Sequence, residues 1–537
     1  MAARWVRRAW EAPVFAHGLA LLAVLIALAV VVGTGASFLS DEGAAVVQAR
    51  HLADEGSWIV DHPLPELDAT NRFYPYELSE AGERGVAPFA KHPAYSLALA
   101  GLWWLGGINA LVGLSIVGTV VASLIAAAFA RRIAPDLARP TLWALGLGSP
   151  LLFDSYLVIA HTVGAALAGA LVFVLTRRSG RTRPVVIGGS AGLAAALVLV
   201  RTEGVFLIAA AAAVMFFVRR ARWVAVAAGV AGALAFFGER LWTRSIVGAA
   251  VAPLRSSLEH ASAGGGGFRG RLNGAMTTLF RPSYSAPVRD DALLLLALVC
   301  LAAAVVFAWQ RSQFAAPIAA VAAAAVLMRL IDPPLAVPGL FVACPVLWSG
   351  GWALATMRPA LRMSRHLLIL GVFVFAVLAT QYERGGGFEW GGRYFAIALP
   401  VAIPIAVGAL RTLPRGVVIG VTVAAFGLSV LAIAELRSTH RDTASLFAAI
   451  DAHPDEIAIT TAGLLPRLDW PGVSRRQWLL VPPADVDAVL KQLPGVDVHH
   501  VIVVYPNAVP PEGWRDRGEP VPGHPWRIES IALDPSP

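Results

Sequence analysis

From Val14 to about position 435 the chain alternates long apolar runs with short clusters of arginine. A bilayer crossing needs ~20 apolar residues in a helix. By that measure the pattern predicts about thirteen spans, near 14–36, 108–130, 140–157, 160–176, 184–201, 204–218, 223–242, 290–309, 314–331, 337–357, 366–381, 394–410 and 416–435. Arginine clusters favour the cytoplasmic side of a membrane. With that number of crossings and a cytoplasmic N-terminus, Arg131–Arg132, Arg177–Arg183, Arg219–Arg222, Arg311, Arg358–Arg365 and Arg411–Arg415 all fall there. The polar stretch 37–95, the segments 243–289 and 382–393, and the tail then lie outside. This alternation requires that His92–Gly107, which opens on Pro93 and carries Trp103 and Trp104, does not cross. An interfacial or re-entrant helix suits it, since Trp favours the headgroup level.

Beyond position 435 the period changes. Strand patterns at Ile457–Thr461, Trp478–Val481, Val501–Tyr505 and Arg527–Ala532 alternate with helical patterns at Thr443–Ala452 and Ala484–Leu490. They predict a small extracytoplasmic α/β domain over 436–537. Within it Asp469, Arg475 and Arg476 read as solvated surface, and His499–His500 as the start of a strand, with metal binding as the alternative. Four glycines at 264–267 read as a lid or linker, because no phosphate-loop spacing follows them. The expected fold is thus an α-helical polytopic membrane protein, with a transmembrane domain over 1–435 whose first outer loop is 37–95, and the α/β domain behind it.

Composition agrees. Of 537 residues 57% are hydrophobic and only 15% charged, with a mean hydropathy of +0.66, against about 25% charged in soluble proteins. The net charge of +8 is dispersed among the spans, which excludes a nucleic-acid face. Cys300 and Cys344 lie in apolar runs and form neither a metal spacing nor a disulfide framework. Lys91 and Lys491 are the only lysines in an arginine-rich chain, a hint that Lys91 has a specific task.

Candidate chemistry gathers at the outer ends of the spans. Asp41 and Glu42 follow the first apolar run; they read either as a general base for an acceptor hydroxyl or as part of a helix start, capped by Ser40 or Asp41. Lys91-His92 is placed to hold a lipid phosphate as a point charge, or to snorkel. Arg201 and Glu203 interrupt two apolar runs, as an ion pair in a turn or as cavity-facing groups; Glu239, Arg240 and Arg244 end a span in the same style. Glu389-Trp390-Gly391-Gly392-Arg393-Tyr394 offers an aromatic face for a sugar and a cation for a phosphate, or an aromatic belt. Asp154, Tyr156 and His161 fall in a short outer turn and could line the same cavity. The predicted topology puts all of these on one side.

With those motifs the chain resembles the GT-C superfamily of membrane glycosyltransferases, and is similar to bacterial lipid-A aminoarabinose transferases and protein O-mannosyltransferases. Asp41-Glu42, Lys91-His92-Pro93 with Tyr95, Arg201-Thr202-Glu203-Gly204 and the stretch from Glu389 to Pro400 carry the resemblance. It implies a GT-C bundle and a sugar donor on a polyprenyl phosphate. The acceptor would be an extracytoplasmic glycan, lipid or protein, and the transfer would invert the anomeric carbon at a multi-pass cell membrane. It implies Asp41 as base, with Glu42 as the neighbouring candidate, and Lys91 on the lipid phosphate; Arg393 is a weaker match to a phosphate ligand. His92, Arg201, Glu203, Trp390 and Tyr394 complete the donor-binding set. Some relatives hold a divalent metal near this site, where Ala90 stands here, which leaves the metal open. A lipid-linked-sugar transporter would need polar residues in several spans and inverted repeats, and the Ala-, Leu- and Val-rich spans show neither. A scaffold for envelope assembly would tolerate loss of Asp41.

Overall fold

The computed structural model describes residues 11–62, 64–68, 72–74, 80–82, 85–89, 92–177, 184–218, 221–248, 267–283, 288–331, 336–357, 364–380, 390–469 and 476–533. Among them six helices are long and apolar enough to cross a membrane: Val14–Val32, Pro93–Ile133, Arg222–Val247, Ala292–Trp309, Arg393–Leu410 and Arg415–Asp451. Five shorter apolar helices accompany them, His161–Leu175, Pro184–Val200, Gly204–Phe216, Ala315–Arg329 and Ser364–Ala379. Val14–Val32 has a mean hydropathy of 2.7, yet only 22% of its apolar window is buried in the protein. Phe15, Leu19, Ile26 and Val30 point outward. Such a surface needs hydrocarbon as its solvent, and the chain is a membrane protein.

By mutual contact the chain divides into two compact units. The first joins Met1–Val32, Val112–Arg240 and Leu254–Leu436; the second joins Gly33–Leu111, Leu241–Pro253 and Arg437–Pro537.

The first unit is the helical bundle. Its core includes Phe129, Leu171, Leu197, Phe373 and Phe395. Small residues let backbones approach, as membrane helix packing favours: Gly416 and Gly420 lie against Ala316 and Ala319 of helix Ala315–Arg329. The span expected at 140–157 is instead a helix Ala138–Leu147, then a short turn Leu151–Asp154. Ten helical residues rise about 15 Å, half of a ~30 Å hydrocarbon core. Gly148 and Pro150 end the regular run, and Leu151–Asp154 is buried in protein, as irregular backbone at membrane depth requires. The segment 243–289 contains a helix, Gly267–Phe280, that the pattern did not announce. Three glycines within it, at 267, 270 and 274, mask its period.

The second unit combines the first polar loop with the tail. A 16-residue helix, Ser40–Glu55, is followed by an antiparallel pair β1 (Glu80–Gly82) and β2 (Gly85–Ala87). Helix Pro93–Ile133 is broken at Gly106–Gly107, where Gly107 has φ 56°. The Trp-rich stretch before the break packs on Ser40–Glu55: Trp104 Nε1 donates to the Ala53 carbonyl at 3.1 Å, and the Arg50 guanidinium lies 5.9 Å from the Trp103 ring. Leu97, Trp104 and Leu105 stay exposed.

In the tail β3 (Ile457–Thr460), β4 (Gln477–Leu480), β5 (His500–Pro506), β6 (Glu519–Pro520) and β7 (Trp526–Ala532) form one sheet in the order β4-β3-β5-β7-β6. β3 pairs in parallel with both β4 and β5, and β7 closes it antiparallel to β5. Strand alternation sends Ile457, Ile459, Val501 and Val503 to one face and Ala458, Ile502 and Val504 to the other. The first face packs on Val486 and Val489 of a short helix and on Leu64, Leu67 and Phe73 of the first loop. The second packs on Leu446, Phe447 and Ile450. Those three residues belong to helix Arg415–Asp451, which runs unbroken through the helical pattern expected separately at 443–452.

Two surface expectations are corrected. Asp469 is buried and accepts the Trp478 Nε1–H at 2.9 Å. Arg476 is buried as well; it donates to the carbonyls of Ile450, His453 and Asp455 and so caps the end of helix Arg415–Asp451. A guanidinium fork at orphan carbonyls is a helix-end device, which composition does not reveal. Arg475 lies outside the described residues.

Candidate active site

In the second unit, the acidic pair occupies the first turn of helix Ser40–Glu55, and its members have separate jobs. Leu39 is the N-cap and offers no side-chain bond, so neither Ser40 nor Asp41 caps the helix. Glu42 reaches back past the cap: it is 3% exposed, and its Oε2 accepts the N–H of Phe38, the residue before Leu39, at 2.8 Å. Asp41 instead meets Arg467, whose Nη2 donates to Asp41 Oδ1 at 3.2 Å. The Arg467 side chain is 4% exposed and that of Asp41 29%. The contact is fixed by the backbone, because a Cβ on Gly43 would sit 1.7 Å from the Arg467 carbonyl oxygen. Only glycine lets the helix lie against the Leu465–Leu468 turn.

The same helix holds the far end of the loop. Gln48, fully buried, donates to the Trp58 carbonyl at 3.1 Å and accepts the Phe89 N–H at 3.2 Å. Ser96 Oγ donates to the Phe89 carbonyl at 2.9 Å, and the buried His92 ring packs 6.4 Å from Phe89. Lys91 lies outside the described residues. A second tether joins loop to tail. The Leu480 N–H donates to the Phe73 carbonyl at 3.0 Å, and Arg72 pairs with Asp485 at 2.7 Å. Asp68, buried, accepts the Phe73 N–H and lies 3.2 Å from His62. Burial pushes His62 below its ordinary value, against the pull of Asp68.

In the first unit, the aromatic and cationic candidates come together on their own elements. Asp154 and His161, both buried, approach to 3.2 Å. Tyr156 is not part of that contact; its hydroxyl donates to the Leu25 carbonyl at 3.2 Å. Arg201 pairs with Glu203 at 3.0 Å. A Cβ on Gly164 would lie 2.8 Å from Arg201 Cγ and 3.2 Å from Ile397. This places Arg201 beside the first turn of helix His161–Leu175 and beside the 3-10 turn Arg393–Ala398. Trp390 is 3% exposed and stacks on Phe153, with centroids 5.7 Å apart and an 18° interplanar angle. Arg393 donates to the Tyr394 hydroxyl at 3.2 Å, its guanidinium 4.9 Å from that ring. Gly391 and Gly392, at φ 71° and 65°, make the turn between Trp390 and Arg393. An L-residue there would be strained. Glu389 lies outside the described residues.

The chain is similar to ArnT. The crystal structure of ArnT from Cupriavidus metallidurans bound to undecaprenyl phosphate matches with a TM-score of 0.44 and 15% identity, covering 95% of this chain and 97% of that one. No family profile matches the chain, and no curated protein matches it.

Among the described residues no group of three His, Cys, Asp or Glu side chains is arranged to hold a metal. His499 is half exposed and lies 3.2 Å from Asp497. The residue that sequence reasoning missed is Arg467, 426 positions from its partner. One signal was present: a glycine inside a helix costs about 1 kcal/mol against alanine, and Gly43 stands two residues after Asp41.

Proposed function

We propose that the chain is an integral-membrane glycosyltransferase that moves a sugar from a polyprenyl-phosphate donor to an extracytoplasmic acceptor. The observation that carries the reading is the division of labour at the acidic pair: Glu42 is buried on the Phe38 N–H, while Asp41 keeps 29% side-chain exposure and a guanidinium partner. That arrangement suits a base more than a cap. In the proposed reaction the acceptor hydroxyl oxygen attacks the anomeric carbon from the face opposite the phosphate. The C–O bond to the phosphate breaks, polyprenyl phosphate departs with the electron pair, and the hydroxyl proton passes to Asp41. Lys91 and Arg393 are assigned to the phosphate, where oriented charge is worth about 3 kcal/mol per contact. His92, Arg201, Glu203, Trp390 and Tyr394 are assigned to donor binding. The proposed topology has a cytoplasmic N-terminus and an extracytoplasmic tail.

The test is transfer of labelled sugar from undecaprenyl-phosphate-linked hexose and aminopentose donors in membranes, with the intact protein beside Asp41→Asn. Transfer by the intact protein and none by a folded variant supports the reading. No transfer from any donor by the intact protein refutes it, and equal transfer by both removes Asp41 as the base.

A further inference from the structure

Resting on that reading, we propose that Arg467, supplied by the C-terminal domain, is a positioning residue that sets the orientation of the base Asp41. Arg467 is a poor stabiliser on its own terms. Its side chain is 4% exposed, and its Nε–H is buried without an acceptor among the described residues. Burying a guanidinium costs several kcal/mol and is offset only by full hydrogen bonding; replacing a whole buried ion pair by apolar side chains of the same volume is often neutral or stabilising. A buried arginine that keeps an unfilled donor and one carboxylate contact is held for what it does to that carboxylate.

The local architecture supports this. The Leu465–Leu468 turn leaves the carboxyl end of β3, the strand flanked in parallel by β4 and β5. In open α/β sheets the crevice outside the carboxyl ends of the parallel strands is where ligands are held. Here the turn takes up the acidic end of helix Ser40–Glu55. Backbone meets backbone at Gly43, and the guanidinium binds Oδ1 of Asp41. Two independent contacts therefore fix the distance and the rotation of one carboxylate. A general base must lie within hydrogen-bond reach of its proton, and a misplacement of about 1 Å can cost roughly a hundredfold in rate.

The experiment compares full-length Arg467→Met, Arg467→Lys and the unaltered protein in the donor assay above, with kcat, donor KM and the pH–rate profile. Met preserves packing and Lys preserves charge. For Met the expected result is a kcat reduced roughly thirty- to a hundredfold, with donor KM changed less than about twofold. The acid limb should move to higher pH, because a carboxylate loses a cation that favours its charged form. Lys should recover part of kcat and bring the limb back. A Met variant whose kcat and acid limb match the unaltered protein overturns the positioning role and leaves the glycosyltransferase reading standing. A loss confined to thermal stability, with the limb unmoved, overturns it too. If the unaltered protein transfers nothing, the parent reading fails and this inference falls with it.

Discussion

The contact between Asp41 and Arg467 makes an asymmetric stability prediction. Asp41→Asn leaves a guanidinium that is 4% exposed without its carboxylate, whereas Arg467→Met leaves a carboxylate that is 29% exposed and can turn to water. Removing one partner of a buried pair costs about 3–5 kcal/mol. Solvent reaches Asp41 and screens the pair, so the figure is discounted below that range, to about 2–3 kcal/mol for Asp41→Asn. Arg467→Met should cost about 1 kcal/mol, since Met fills the space and no charge is stranded. In the double variant the guanidinium goes together with the carboxylate it binds, and the predicted coupling is roughly 2 kcal/mol. The measurement is hydrogen exchange of helix Ser40–Glu55 in nanodiscs for all four proteins. Single-variant effects that add to within about 0.5 kcal/mol would refute the reasoning. The double variant also separates chemistry from folding: it should keep the helix protected and still transfer no sugar.

Other expectations follow from the same geometry. Glu42→Ala removes the carboxylate that accepts the Phe38 N–H; it should cost about 1 kcal/mol and leave transfer within a fewfold, while a complete loss with the helix intact would move the base to Glu42. Gly43→Ala puts a methyl 1.7 Å from the Arg467 carbonyl oxygen, so helix Ser40–Glu55 should lose exchange protection and kcat should fall as far as in Arg467→Met; an unchanged protein would show that the turn can move. Because burial holds folded His62 below its unfolded value of 6.5, the unfolded chain takes up the proton first as pH falls through 6.5. The Leu480 N–H should then lose protection, the loss growing until His62 itself protonates; His62→Gln should flatten that dependence, and a flat profile in the unaltered protein would contradict it. Trp390→Ala empties a stacked, buried site against Phe153 and should cost about 3–5 kcal/mol, read as a lower thermal midpoint in detergent.

Much of the fold was legible because hydrocarbon solvent and strand alternation write simple periods. The apolar runs gave most helices to within a few residues, and Ile457–Thr460, Gln477–Leu480 and His500–Pro506 fall where short strand patterns predicted them, to within a residue or two. The failures have local causes. Glycines at 267, 270 and 274 hid a helix, and Gly148 with Pro150 broke one that hydropathy ran through. Arg476 and Asp469 look like surface in sequence because a charged residue satisfied by distant carbonyls or an indole leaves no periodic trace. At the candidate site the sequence carried Asp41, Glu42, Trp390 and Arg393 as motifs. It could not say which carboxylate is buried, since that depends on one hydrogen bond from Phe38, nor name Arg467, whose role exists only once the tail has folded.

The wide separation of Asp41 and Arg467 also has a temporal side. Ribosomes add ~5–20 residues each second, so the 426 positions between the two take roughly 20–85 s to synthesise. Throughout that interval the first loop exists without Arg467, without β3 and β5, and with Leu64, Leu67 and Phe73 lacking the sheet face that covers them. The nascent loop must therefore survive as an unfinished surface, open to chaperones and proteases, until nearly the last part of the chain arrives. A premature stop anywhere before the tail would leave the acidic turn intact in sequence and unassembled in space.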